Sequence, residues 1–166
     1  MALYFGTKAL SKFDTLLQRG NYSKLFILCD ENTHEDCLPS FLQHFPNLPP
    51  LEILEIEAGE ESKSLSVLEQ LWHSLSELEA DRHSLILNNR IGAFADAQLI
   101  GIVPEFLETL SDQELLSGWA EMLKHGFIAS PQHFQEIQDL DRTRPLPTLA
   151  HIKASVAIKE KIVKND

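Results

Sequence analysis

The first half of the chain alternates short apolar runs with amphipathic segments, and this alternation limits the possible folds more than any other feature. Residues 24–29, 51–56 and 84–87 form short runs rich in apolar residues, as buried strands do. Between the last two runs, large apolar residues recur at helical spacing and predict one apolar stripe: Leu65, Leu68, Leu71, Trp72, Leu75 and Leu78. Strand, helix and strand in this order predict a parallel sheet with crossover helices.

From Pro104 onward the sequence predicts only helices. Ser111 and Glu114 form a capping box, which opens a helix that runs to about residue 128. Pro131 after a serine marks a second helix start, and a third helix is predicted from Pro147 to Asp166 without a stop signal. The sequence therefore predicts an α/β fold. A Rossmann-like parallel-sheet domain over residues 1–103 is followed by the opening helices of an all-α domain over residues 104–166.

Composition narrows the function classes. The chain has 166 residues and a net charge of −11, which opposes binding to nucleic acid or to anionic membranes but not to a small phosphorylated ligand. It has no run near the roughly 20 apolar residues that span a bilayer, and no signal-peptide pattern at its start. We therefore expect a cytoplasmic protein in which Cys29 and Cys37 are reduced.

Polar residues follow the first two predicted strands. Asp30 and Asn32 lie just beyond the first strand, at the edge where open parallel sheets bind ligands, and both could bond to a ribose hydroxyl. Gly59 allows a tight turn after the second strand, and Glu60 and Lys63 lie three residues apart on one side of the helix start. Taken alone, the first segment is more simply explained as a polar strand-to-helix loop, and the second as compensation of a helix dipole.

The helix that begins at Ser111 carries a carboxylate and an ammonium group three residues apart. Glu121 is a competent zinc ligand, and Lys124 suits a phosphate or a carboxylate, although a surface ion pair is the simpler explanation. His125 is predicted as a partner of the helix C-terminal dipole. The apolar stripe is predicted on the other side of this helix, at Leu115, Leu116, Trp119, Leu123 and Phe127.

The last predicted helix places a lysine within an apolar stripe. Ile152, Val156 and Val163 are spaced 0, 4 and 11 along the chain, and Lys159 falls at position 7. A lysine in such a place extends its ammonium group into solvent or serves an anionic substrate from a buried position. The sequence leaves both alternatives open.

Together and in order, these segments resemble the 3-dehydroquinate synthases, which are NAD- and zinc-dependent sugar phosphate cyclases of the shikimate pathway. The most specific match is the pattern S-G-x-A-E-x-x-K-x-G, which runs from Ser117 to Gly126. The other matching stretches cover residues 30–32, 59–64, 81–88, 89–94, 106–110 and 158–163.

The resemblance implies a role for each matching residue. Glu121 matches a ligand of zinc (or cobalt), and Lys124 and Lys159 match lysines that hold the substrate's carboxylate and phosphate during catalysis. The implied reaction converts 3-deoxy-D-arabino-heptulosonate 7-phosphate to 3-dehydroquinate and phosphate, by a homodimeric lyase. The implied NAD contacts are Asp30, Asn32, Gly59, Glu60, Lys63, Asn89, Phe106, Leu107 and Thr109.

The chain departs from this family after Asn88. There the family continues into a Gly-Gly-Gly loop for the cofactor pyrophosphate, whereas here Asn89-Arg-Ile-Gly follows directly. We expect either an unseen gap between residues 88 and 89 or a true deletion. The family also places two histidine zinc ligands beyond the point where this chain stops. We therefore predict no measurable turnover and at best weak NAD binding from these 166 residues.

Three alternatives to the main prediction remain. Another sugar phosphate cyclase would share the cofactor and metal segments and differ in the residues that contact substrate. An iron- or zinc-dependent alcohol dehydrogenase fits less well, because Lys124 beside Glu121 suits an anionic substrate. A noncatalytic binding fragment would gain no stability from NAD or metal, whereas a ligand that binds the native state raises it.

Overall fold

The computed structural model describes residues 2–62, 64–88, 97–140 and 146–163, and of Glu60 and Val163 only the backbone. Contacts divide the chain into two compact units, Met1–Gly101 and Ile102–Asp166, and each is described by itself. The predicted gap after Asn88 and the residues Lys63 and Asn89 concern parts of the chain outside the described residues.

The first unit alternates strands and helices. Its elements are β1 (Ala2–Phe5), α1 (Thr7–Arg19), β2 (Leu25–Asp30), α2 (Glu31–Asp36), α3 (Leu38–Gln43), β3 (Leu51–Ile56), a 3₁₀ helix (Glu60–Ser62), α4 (Leu65–Glu77), β4 (Leu85–Asn88) and β5 (Leu99–Ile102). The three strands predicted from apolar runs are β2, β3 and β4. The sequence patterns did not predict β1, α1 or β5, nor the two short helices α2 and α3.

A three-stranded parallel sheet forms the centre of this unit. The strand order is β3-β2-β4, and β2 runs parallel to both neighbours. Every residue of β2 is buried, which explains its uninterrupted apolar sequence. The predicted α/β architecture with a parallel sheet is thereby confirmed. Strands β1 and β5 pair in a separate two-stranded sheet.

Alternate residues of β2 anchor two apolar clusters on opposite faces of the sheet. Phe26 and Leu28 pack with Leu54 and with Leu71 of α4. Ile27 and Cys29 pack on the other face with Leu38 of α3. Because side chains alternate across a strand, the single buried strand β2 supports helices on both faces.

The apolar stripe predicted for α4 is divided in the structure. Leu71 is buried in the core, where Leu75 and Leu78 pack beside it. In contrast, Leu65 is 81% exposed and Trp72 is 70% exposed. The predicted apolar stripe is therefore only partly buried, because its six large residues span a wider arc of the helix than the sheet covers.

The described elements of the second unit are all helical. They are a 3₁₀ helix (Pro104–Thr109), α5 (Asp112–Ala129), α6 (Pro131–Gln138) and α7 (Leu149–Val163). The predicted capping box is present, with Ser111 Oγ accepting from the Glu114 N–H at 3.3 Å and the Glu114 carboxylate accepting from the Ser111 N–H at 3.2 Å. Pro131 occupies the first turn of α6, as predicted. Within the described residues, no helix combines the length and apolar character needed to cross a membrane.

The buried face of α5 differs from the predicted stripe. Leu115, Met122, His125 and Gly126 are buried, whereas Leu116 and Phe127 are exposed. The reason is the packing of α6 and α7 against the face that includes Gly126. A glycine carries no hydropathy signal, so the stripe drawn through the large apolar residues was rotated from the true face.

Candidate functional site

The end of β2 positions Asp30 at the carboxyl edge of the parallel sheet, opposite Ile56 at the end of β3. Asp30 is the N-cap of α2: its Oδ1 accepts from the Thr33 N–H at 2.8 Å and from Thr33 Oγ1 at 2.5 Å. Asn32 lies exposed in the first turn of the same helix. The Asp30 carboxylate is therefore held in one orientation by the local backbone, with Asn32 accessible beside it.

The loop after β3 ends at the same edge of the sheet. Gly59 has a φ angle of 111°, a conformation that side-chain-bearing residues rarely adopt. A Cβ added at Gly59 would meet no atom within 4 Å, so the backbone there is accessible to a ligand. Glu60 begins the 3₁₀ helix that follows. Among the predicted cofactor residues, Asp30, Asn32, Gly59 and Glu60 thus follow two adjacent strand ends.

One feature of this edge was not predicted. His34 Nδ1 of α2 pairs with the Glu55 carboxylate of β3. Burial raises the pKa of the neighbouring Cys29 thiol, and the negative charges of Glu55 and Asp30 raise it further, so this thiol stays protonated at neutral pH. The sequence alone could not predict this pair, because the contact between His34 and Glu55 depends on the register of β2 and β3.

Three predicted cofactor residues lie in the second unit. Phe106, Leu107 and Thr109 belong to the 3₁₀ helix there, and Thr109 Oγ1 donates to the Phe106 carbonyl oxygen at 3.1 Å. Phe106 and Leu107 are partly buried and Thr109 is exposed.

On α5, Glu121 lies among cationic groups. Lys124 Nζ donates to Glu121 Oε2 at 2.5 Å, and the two side chains are 55% and 47% exposed. The Lys124 hydrogen bond lowers the pKa of the Glu121 carboxyl, and electrostatic interaction with Lys124, His125 and Lys159 lowers it further. Lys159 is exposed on α7, so the alternative of a buried lysine is wrong. The group is an accessible carboxylate with lysines from two helices.

Two histidines of this unit lie in its interior. His125 was predicted to interact with the helix dipole, but it is 8% exposed and its Nδ1 lies 2.7 Å from Ser155 Oγ of α7. His133 of α6 is buried as well, and neither of its ring nitrogens has a hydrogen-bond partner among the residues that the structure describes. Burial lowers the pKa of His133, which keeps this ring neutral.

A metal needs more donors than the described residues bring together. In residues 2–62, 64–88, 97–140 and 146–163, no three histidine, cysteine, aspartate or glutamate side chains are grouped so that they could hold a metal ion. Glu121 supplies one carboxylate, which already pairs with Lys124. These residues alone do not fit a complete metal site.

Comparison with solved structures gives the class of fold. A structure of 2-deoxy-scyllo-inosose synthase with carbaglucose-6-phosphate, NAD⁺ and Co²⁺ aligns with a TM-score of 0.60 over 74% of this chain and 47% of that chain, at 16% identity. A second structure of 2-deoxy-scyllo-inosose synthase gives a TM-score of 0.59 over 74% of this chain. The fold of the aligned part therefore resembles that of 2-deoxy-scyllo-inosose synthase. No protein-family model matches the chain.

Comparison of sequences narrows the relationship to 3-dehydroquinate synthases. The protein of that name from Parabacteroides distasonis is 29% identical over 208 aligned positions, which cover 94% of this chain and 59% of the relative. The one from Oceanobacillus iheyensis is 24% identical over 215 positions, which cover 99% of this chain and 60% of the relative. The resemblance that the motifs indicated is thereby confirmed.

The chain spans about 60% of the length of these curated relatives. The alignment with the Parabacteroides protein has 208 positions, more than the 166 residues of this chain, so it includes positions at which only the relative has a residue. The roles of the individual site residues rest on the motifs and on the geometry described above.

Proposed function

We propose that this chain supplies part of a 3-dehydroquinate synthase, the lyase that converts 3-deoxy-D-arabino-heptulosonate 7-phosphate to 3-dehydroquinate and phosphate. The observation that carries the proposal is the similarity to relatives of that name across 94% and 99% of the chain. Because the chain spans only part of their length, the complete reaction belongs to a longer polypeptide.

The proposed NAD site lies at the carboxyl edge of the parallel sheet. Its support is the convergence of two strand ends, where ligands of open α/β sheets bind, together with the fixed Asp30 carboxylate and the open backbone at Gly59. Asp30 and Asn32 would bond to a ribose, with Glu60 as a further proposed contact at this edge. Lys63, Asn89, Phe106, Leu107 and Thr109 stay predicted NAD contacts that rest on the motifs alone. NAD would supply a transient hydride acceptor.

The proposed substrate contacts are Lys124 and Lys159. The support is their accessibility, together with the lowering of the Glu121 pKa by Lys124 of α5 and, to a smaller extent, by Lys159 of α7. Lys124 has three N–H donors, so it can pair with Glu121 and still bind a phosphate or carboxylate oxygen. These lysines would hold an anionic sugar in a fixed orientation, which lowers the entropic part of the barrier.

Zinc or cobalt at Glu121 stays a prediction for the longer polypeptide. The described residues give Glu121 no further donors that complete a metal site, so we derive no step of the reaction through a metal. An all-α domain that extends beyond the described helices, a homodimer and a cytoplasmic location are likewise predictions.

The test compares this chain with a longer chimera. In the chimera, the Parabacteroides relative supplies the alignment positions absent here and the remainder of its length. Phosphate release from 3-deoxy-D-arabino-heptulosonate 7-phosphate is measured with NAD⁺ and either Zn²⁺ or Co²⁺. We expect release from the chimera only, and loss of release in its Lys124→Ala variant. Leu116→Ala, which changes an exposed residue of the same helix, is the matched control and should retain activity.

Two results would contradict these expectations. A folded chimera that binds NAD⁺ but releases no phosphate would refute the proposed function. Release from the 166-residue chain alone would refute its predicted inactivity.

A second candidate is another sugar phosphate cyclase, which the fold similarity to 2-deoxy-scyllo-inosose synthase favours. That neighbour was solved with carbaglucose-6-phosphate, so glucose 6-phosphate is the appropriate alternative substrate. Phosphate release from glucose 6-phosphate, without release from the seven-carbon sugar acid, would select this candidate.

A further inference from the structure

His125 connects the interior of the second unit to the carboxylate of Glu121. Its side chain is 8% exposed and lies between α5 and Ser155 of α7, which is 6% exposed. One ring nitrogen, Nδ1, lies 2.7 Å from Ser155 Oγ, and the other, Nε2, lies 3.5 Å from Glu121 Oε1. The ring therefore bridges a buried hydroxyl and an accessible carboxylate.

The chemistry of the three groups fixes the direction of the bridge. An ionised carboxylate only accepts hydrogen bonds, so the 3.5 Å approach of Nε2 to Glu121 Oε1 favours a proton on Nε2. With its proton on Nε2 alone, the ring would accept at Nδ1 from the Ser155 hydroxyl. We therefore expect the Ser155 hydroxyl to donate to Nδ1, and Nε2–H to face the Glu121 carboxylate.

The two neighbours of Glu121 differ in rigidity. Lys124 is 55% exposed and reaches Glu121 from the same helix, with a long flexible side chain. His125 is enclosed by two helices and fixed by Ser155. The ring is therefore the more rigid of the two supports, and it contacts the oxygen that Lys124 does not use.

We propose that His125 is a positioning residue, which with Ser155 holds the Glu121 carboxylate in the orientation that its site requires. The value of this orientation for catalysis rests on the proposed function, whereas the bridge itself can be tested without turnover. The alternative is a purely structural role, in which His125 only fills space between α5 and α7. This alternative predicts neither a fixed tautomer nor a specific coupling to Glu121.

The first test is the tautomer of His125 in the unmodified chain. Long-range ¹H–¹⁵N correlation spectra at neutral pH identify which ring nitrogen carries the proton. The proposal expects the Nε2–H form alone. A ring with its proton on Nδ1, or an even mixture of the two forms, would overturn it, and this result does not depend on whether any variant folds.

The second test uses variants that keep one end of the ring. His125→Gln keeps an N–H donor near the place of Nε2, His125→Asn keeps a polar group near Nδ1 only, and His125→Phe keeps only volume. Each is combined with Glu121→Ala in a double-mutant cycle on the unfolding equilibrium. We expect Glu121→Ala to lower the folding equilibrium constant by roughly two- to five-fold more in the native chain and in His125→Gln than in His125→Asn and His125→Phe.

An equal cost of Glu121→Ala in the native chain and in all three His125 variants would refute the positioning role. The proposed function fails by a different result, namely a folded chimera that binds NAD⁺ without phosphate release. If the chain shows the Nε2–H tautomer and the expected coupling, but the folded chimera binds NAD⁺ without releasing phosphate, then the bridge is retained and the cyclase assignment is refuted.

Discussion

Substitution of Gly126 in α5 should lower the free energy of unfolding relative to other glycine substitutions in this helix, because its Cα faces the backbone of α6. A Cβ built at Gly126 lies 2.6 Å from the Phe134 nitrogen, 2.7 Å from its Cα and 2.9 Å from its Cβ. Real Cβ atoms do not approach so closely, and a backbone cannot rotate away as a side chain does. Gly126→Ala must therefore displace α6 from α5.

The other glycine of α5 provides the matched control. A Cβ added at Gly118 meets nothing within 4 Å. Both substitutions gain the helix propensity of alanine, about 1 kcal/mol. Only Gly126→Ala adds overpacking, which costs about 1–3 kcal/mol in close-packed interiors. Gly118→Ala should thus raise the free energy of unfolding by up to about 1 kcal/mol. The free energy of unfolding of Gly126→Ala should be about 1–3 kcal/mol lower than that of Gly118→Ala.

Urea denaturation followed by tryptophan fluorescence measures this difference. Trp119 lies on α5 and reports on the second unit, so both variants are made in a Trp72→Phe background, which removes the exposed tryptophan of α4. Equal shifts of the unfolding midpoint for the two alanine variants would refute the close approach of α5 and α6.

Three further predictions concern stability. His133→Leu should raise the free energy of unfolding by about 1 kcal/mol at pH 7, because it removes two buried nitrogens that have no partner among the described residues. A free energy of unfolding that is unchanged or lower in urea denaturation would contradict this. Because burial lowers the folded pKa of His133, the unfolded state binds more protons below about pH 6.5. The free energy of unfolding should therefore decrease as the pH is lowered below about 6.5, and less steeply in His133→Leu. Parallel pH profiles of the two proteins would contradict this prediction. Ser111→Ala should cost about 1 kcal/mol through loss of the capping box, whereas Ser117→Ala, on the exposed side of the same helix, should cost almost nothing.

Sequence patterns predicted those parts of the fold in which local signal and burial agree. The apolar run of β2 and the capping box of α5 are of this kind, since each is determined by neighbouring residues. Strands β1 and β5 were missed because they pair with each other across a long stretch of sequence, outside the strand–helix–strand pattern that marked β3 and β4. The stripes of α4 and α5 were misplaced because hydropathy does not reveal which face a neighbouring element covers.

The candidate site shows the same division. Motif order indicated Glu121 and Lys124, and their pairing follows from helical spacing alone. The contact between His125 and Ser155 joins residues 30 positions apart on different helices, and the pair of His34 and Glu55 depends on strand register. No local pattern encodes such contacts, so they required the fold.

The central claim is that the edge of the parallel sheet is an NAD site of a 3-dehydroquinate synthase. Residue-resolved ¹H–¹⁵N spectra of the chain, titrated with NAD⁺ to millimolar concentration, test it most directly. We expect weak binding, with shifts confined to the ends of β2 and β3 and strongest at Asp30, Asn32 and Gly59, and a small rise in thermal stability. Spectra that stay unchanged at the highest concentration, or that change only elsewhere, would contradict it.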